Sequence, residues 1–327
     1  MRIGSIFLVV GLTTWAAAGD RYNGFDLSNA TIPPDKVFSG GPPRDGIPSI
    51  DRPTFIPPNA ADYMLDTDEV LSVTVGEETR AYPLRILVQH EIVNDEIAGQ
   101  RIAVTYCPLC GTAMVFNRRV DGRTLDFGVS GLLYQSDVLM YDRQTDSLWS
   151  QLAMEAVAGP LVNTRLQWLP SQQLTWAAWK ARYPQGKVLS TQTGFHRDYS
   201  GTAYARYKQS PDSMFPVPLH RAELPKKEWV IGVLVDGVAC AYPVQELVKR
   251  QQLLDKVNDI ALEISYDVGR QQVEVIECAS GKGLPAVKVY WFAWQAFYPE
   301  TKLWQAQPGK VEDDERPVCG RSGSMGG

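Results

Sequence analysis

The chain has 327 residues, 44% of them apolar and 21% charged, which suits two core-forming units and excludes a disordered or fibrous polymer. A formal net charge of −5, without any basic run, removes the electrostatic ground for nucleic-acid binding.

Met1-Arg2, an apolar run from Ile3 to Trp15, and Ala16-Ala17-Ala18 before Gly19-Asp20 have the form of a secretory signal, residues 1–18, cleaved after Ala18. The run is shorter than the ~20 apolar residues of a spanning helix, and no later stretch is longer. The expectation is a periplasmic or secreted protein with no transmembrane segment after cleavage. Export also lets a close cysteine pair persist as a disulfide, and five cysteines leave at least one unpaired within the chain.

Residues 19–60 are rich in Pro and Gly and lack hydrophobic periodicity, so they read as an extended arm. From Val70 the chain alternates as a strand, turns at Gly76-Glu77-Glu78, returns to Tyr82, and starts a short helix at Pro83. Ile102 to Tyr106 is a strand running into Cys107-Pro108-Leu109-Cys110. A hairpin follows about Asp121-Gly122, then a second one joining Asp137–Tyr141 to Ser147–Gln151. Leu174 to Arg182 forms a helix carrying Trp176 and Trp179, ended by Tyr183-Pro184.

The unit then recurs. Val70–Val75 lies over Val230–Val235, Ala81-Tyr82-Pro83 over Ala241-Tyr242-Pro243, and Trp176, Trp179 and Tyr183-Pro184 over Trp291, Trp294 and Tyr298-Pro299. The first copy holds roughly 45 residues more than the second between the matched Tyr106/Tyr266 and Trp176/Trp291. Where it has His90, Glu91 and Cys107, the second has Arg250, Gln251 and Asp267. The expected fold is α+β: a tandem duplication of a mainly antiparallel sheet unit with short helices, the first repeat over 61–205, a degenerate second over 206–308, and a disordered tail over 309–327.

Function is expected where only one copy is reactive. Cys107 and Cys110 at C-x-x-C spacing suit a metal site, a dithiol redox centre or a small-loop disulfide. For a metal, His90 at the end of the copy-one helix and Met114 complete a soft set for one copper or zinc ion, with His196 as a weaker candidate. The redox alternative, a thiol-disulfide oxidoreductase, lacks a helix N-terminus to activate the thiol, because the residues after Gly111 read as strand. A small-molecule binding or scaffold role with a structural disulfide is the third reading, although a two-residue loop adds little stability. Catalysis, substrate and oligomeric state stay open, and the implied partner is a redox or metal-delivery protein.

Other candidates have plain structural accounts. Glu91 suits a solvated helix end, Ser130–Asp137 a hairpin edge that would otherwise line a pocket by the thiols, and Arg197-Asp198 a loop clasp rather than an anion site. Trp176 and Trp179 recur in both copies and suit core packing. Cys240 and Cys278 are buried thiols or pair with each other, and Cys319 is the expected odd cysteine.

Four joined motifs carry a resemblance: Tyr82-Pro83-Leu84-Arg85-Ile86-Leu87, His90-Glu91-Ile92-Val93-Asn94-Asp95, Thr105-Tyr106-Cys107-Pro108-Leu109-Cys110-Gly111-Thr112-Ala113 and Leu148-Trp149-Ser150-Gln151. Together they resemble an exported bacterial domain-of-unknown-function family, DUF3179, over most of residues 60–310. The resemblance implies a recurrent secreted protein, brings no activity with it, and makes Cys107 more central than Cys110.

Overall fold

The computed structural model describes residues 21–201, 203–306 and 319; the expected signal segment and nearly all of the expected tail lie outside the described residues. Of the described residues 41% are in strands and 14% in helices, and apart from two two-stranded ribbons the strands form five small sheets set round a ring, the arrangement of a five-bladed β-propeller. This corrects the expected α+β tandem. The four helices expected from the sequence, and a fifth at Ala205–Gln209 that was not, are short connections of five to seven residues. The physical reason is that among the described residues no helix is large enough to cover a sheet, so sheets cover one another, as blade 2 shows by burying apolar residues of both its faces in two different cores.

Blade 1 orders Gln172–Thr175, Glu69–Val75, Glu78–Pro83, Lys187–Leu189 and Phe55–Ile56. Blade 2 orders Trp168–Leu169, Thr112–Asn117, Gln100–Cys107 and Ile92–Ile97. Blade 3 orders Glu155–Ala158, Leu148–Ser150, Asp137–Asp142, Phe127–Tyr134 and Val37–Ser39. Blade 4 orders Ala286–Tyr290, Trp229–Val235, Val238–Pro243 and Lys302–Leu303, and blade 5 Gln252–Val257, Ile260–Asp267 and Gln272–Glu277.

Blades 1 and 4 thus share the order of four strands, as do the three-stranded meanders of blades 2 and 5, while among the described residues blade 3 has no counterpart. The stretch that the first half holds in excess folds as blade 3. Its outer edge is covered by the N-terminal arm, which adds Val37–Ser39 as a strand and buries Phe25 and Leu27. Covering the edge removes a row of backbone groups open to pairing with another chain.

Strand alternation divides blade 2 between two cores. Ala103, Cys107, Met114 and Phe116 face a core shared with blades 3 and 4, while Ile102, Val104, Tyr106 and Val115 face one shared with blade 1 and its helix. The joint to blade 3 is polar as well as apolar. The Asn94 side-chain amide donates to Phe127 O at 2.8 Å, and its carbonyl accepts from Phe127 N at 3.0 Å. Blade 2 therefore meets blade 3 in a fixed register, and that places the thiols opposite the Tyr134–Asp137 hairpin turn.

Candidate metal centre

Cys107 ends one strand of blade 2, and Thr112, paired directly with it, begins the next. The four residues between close a tight turn in which Gly111 N donates to Cys107 O at 2.8 Å. Gly111 takes φ +71, and a Cβ there would fall 2.3 Å from the Trp229 ring, so both conformation and space demand glycine. The pair thus rides on strand, turn and strand, and both thiols point into the core at 1% and 0% exposure.

Opposite them lies the tip of the Phe127–Asp142 hairpin of blade 3. Gln135 and Ser136 both hold positive φ, 51° and 67°, a two-residue turn of the form that normally selects Asn-Gly. Holding two non-glycine residues there costs about 1 kcal/mol or more each. The strained turn presents Ser136 O, which accepts from the Cys110 thiol at 3.2 Å and lies 3.8 Å from the Cys107 sulfur. It also presents Asp137, whose ligand oxygen lies with both sulfurs inside a cluster no wider than 4.8 Å. Asp137 Oδ2 accepts from Leu152 N at 2.9 Å, while Oδ1 and the neighbouring Ser136 hydroxyl are buried without a hydrogen-bond partner. Leaving such atoms unsatisfied costs about 1–3 kcal/mol each.

The electrostatics follow from burial. Burial pushes the Asp137 carboxyl up to about 7, opposed by the Leu152 amide and the two thiols. Glu91, at the end of the Leu84–His90 helix, is pushed up to about 8 by burial and then by the Asp137 charge. Burial likewise raises both thiols, Cys110 well above the ordinary range, and Cys107 less because the Cys110 thiol and amide favour its thiolate. Four buried acids share this region, and among the described residues no Lys, Arg or His forms an ion pair with any of them. In low dielectric such a group stays protonated until a cation joins it.

The remaining sequence candidates fall elsewhere. His90 is buried, but Nδ1 donates to Pro48 O at 2.7 Å, so the neutral ring turns Nε2 to accept from the Tyr199 hydroxyl at 2.7 Å. Burial lowers its pKa, which keeps the neutral form. Both nitrogens are engaged, and His90 lies outside the thiol–carboxylate cluster. Met114 shares the apolar core of Cys107 and Cys110. His196 and Arg197 are exposed, and Arg197 donates to Gly46 O at 3.2 Å, tying its loop to the N-terminal arm. Trp176 and Trp179 stack in the core of blade 1. Cys278 is disulfide-bonded to Cys319, which corrects both the Cys240–Cys278 pairing and the odd place given to Cys319; Cys107, Cys110 and Cys240 are free.

Asp137 entered the sequence reading only as part of the Ser130–Asp137 stretch, a hairpin edge that would otherwise line a pocket by the thiols, and not as a ligand. The available signal was its position in the stretch found in one copy alone, beside a turn without glycine at its centre.

The family described as "Protein of unknown function (DUF3179)" matches residues 44–283. The chain belongs to that family. The match takes in every residue of the thiol turn, the Asp137 hairpin and Glu91, and ends before the last strands of blade 4. No curated protein and no solved structure matches the chain.

Proposed function

We propose that Cys107, Cys110 and Asp137 hold one borderline-soft divalent metal ion, zinc ahead of copper, at the junction of blades 2 and 3. The observation that carries this reading is the Asp137 carboxylate. It is buried against two thiols, one of its oxygens has no hydrogen-bond partner, and among the described residues no Lys, Arg or His forms an ion pair with it. A divalent ion supplies the missing charge, takes the orphaned oxygen, and draws the protons off two thiols whose burial otherwise keeps them on.

The donor set sorts the metals. Two thiolates alone suit Cu(I) or Zn²⁺, but a hard carboxylate oxygen favours Zn²⁺. Met114, in the same core, is the soft donor that copper would require. Burial and raised thiol pKa values weigh against a thiol-disulfide oxidoreductase, which needs an accessible thiolate.

Export belongs to the same proposal. The N-terminal sequence has the form of a signal, and the Cys278–Cys319 disulfide suits an oxidising compartment. The test is metal content and zinc affinity of the full chain and of Asp137→Asn. One equivalent in the parent and at least tenfold weaker binding in the variant support the reading; equal affinity in the two removes Asp137 and the zinc preference with it.

A further inference from the structure

We infer that Gln151 and Leu152 form a bracket that sets the distance between the thiols and the carboxylate. The inference rests on the metal reading above and adds the residues that position its donors. It also gives a role to the Leu148-Trp149-Ser150-Gln151 motif.

The thiols and the carboxylate come from different blades, so the C-x-x-C spacing cannot fix their separation. Gln151 is fully buried just after the Leu148–Ser150 strand of blade 3. Its Oε1 accepts from Thr112 Oγ1 at 2.6 Å, and its Nε2 donates to Thr105 Oγ1 at 2.7 Å. Thr112 stands opposite Cys107 in the register, and Thr105 precedes it by two residues on the same face. The side chain therefore grips both strands that carry the turn. The next residue grips the other donor, through the Leu152 amide on Asp137 Oδ2 at 2.9 Å. Two consecutive residues thus hold the two halves of the site.

The chemistry of position 151 is narrow. Thr105 Oγ1 gives its proton to Met114 O at 3.0 Å and must receive one from its neighbour, while the Thr112 hydroxyl must give one. Only a side chain with a donor and an acceptor on one planar head answers both, and a carboxylate would face Thr105 with an acceptor. In blade 5, where the thiols are replaced by Asp267 and Arg270, the residues standing for Thr105 and Thr112 are Ser265 and Gln272, and among the described residues there is no counterpart of blade 3 with a strand in the place of Leu148–Ser150.

The experiment is Co²⁺ titration of the full chain, read by thiolate-to-cobalt and ligand-field bands, with affinity from chelator competition and a thermal midpoint for each protein. Gln151→Met keeps volume and removes every hydrogen bond. It is expected to retain the thiolate bands and the one-to-one stoichiometry, to shift the ligand-field band, and to bind about 10–100-fold more weakly. Thr112→Val, which removes only one hydroxyl, is expected to weaken binding in the same direction. Parent-like affinity and bands in Gln151→Met overturn the bracket and leave the metal reading standing. So does a loss of affinity that tracks a lowered midpoint in Gln151→Met and is missing from Thr112→Val. No Co²⁺ uptake by the parent chain overturns the metal reading and the bracket together.

Discussion

Blades 1 and 2 share backbone features with blades 4 and 5 and carry different residues on them. Tyr106 N donates to Glu91 O at 2.7 Å, and Tyr266 N to Gln251 O at 2.8 Å. Glu91 and Gln251 both hold positive φ, 58° and 61°, after helices of equal length. The buried Tyr82 hydroxyl meets Asp95, and Tyr242 meets Asp255. These shared features are scaffold. The turns diverge: at the places of Cys107 and Cys110, blade 5 has Asp267 and Arg270, paired at 3.5 Å, with Arg270 N also donating to Asp267 Oδ1 at 2.9 Å. The turn keeps its shape without any sulfur. The thiols are therefore not needed to make the turn, and what they face explains them better: blade 3 stands over the thiol turn and has no equivalent over its twin.

The comparison breaks most sharply if thiols alone suffice. Cys107→Ser and Cys110→Ser are each expected to lower zinc affinity by at least about 100-fold with little change in the metal-free thermal midpoint, since the blade 5 turn folds without cysteine. The reciprocal graft, Asp267→Cys with Arg270→Cys, is expected to create no second zinc site, because among the described residues the carboxylate that completes a cluster with two thiols, Asp137, lies at the blade 2 turn. A second tightly bound equivalent in the graft, seen by zinc titration, would show that blade 3 is dispensable.

Next in size is the pH dependence of the metal-free protein. Asp137 and Glu91 have folded pKa values raised to about 7 and about 8, above their ordinary 3.8 and 4.5. The folded state then binds more protons than the unfolded state between those limits, so stability falls as pH rises from about 4 to about 8. The loss is at most about 4–5 kcal/mol for each carboxyl. Urea midpoints across that range should decline in the metal-free protein and flatten in Asp137→Asn/Glu91→Gln. Blade 5 contributes nothing comparable, because Gln251 stands where Glu91 does.

Gly111→Ala places a methyl against Trp229 and forces a positive φ on alanine, an expected loss of about 2–3 kcal/mol by urea denaturation. Gln271, its counterpart, already tolerates φ 51 in the twin, so Gln271→Ala should cost under about 1 kcal/mol. Similar losses at the two sites would mean that the Trp229 contact carries no weight.

The smallest effect concerns the cover of the site. Tyr207 is the one buried side chain between residues 203 and 228, and its hydroxyl donates to Leu109 O at 2.6 Å, on the thiol turn itself. Tyr207→Ala is expected to raise the rate of thiol labelling at Cys107 and Cys110 about tenfold, measured in a Cys240→Ser background. An unchanged rate would place the limiting barrier in the blades themselves.

Much of the site was legible because residue chemistry is local. The thiol turn, the strand on either side of it, and its singularity between two matching halves all follow from Tyr106 to Thr112 and their counterparts. His90 was misleading for the same reason: helix spacing brings it toward the turn, but Tyr199, 109 residues away, takes its free nitrogen. Asp137 was hidden because its burial depends on a hairpin from another sheet, and an isolated Ser-Asp at a turn reads as a solvated edge.

What the sequence by itself determined is therefore the set of elements: strands by alternation, short helices by Pro83 and Pro243, the internal correspondence, and the cysteine pair. Alternation fixes which residues share a face of a strand, but it does not say which sheet that face meets. Only the tertiary structure decided that five meanders close into a ring, that Asn94 locks blade 2 to blade 3, and that Asp137 comes to lie against two thiols. The physical reason is that a cluster of thiols and a carboxylate built across two sheets is defined by contacts between residues far apart in the chain, and no local spacing encodes them.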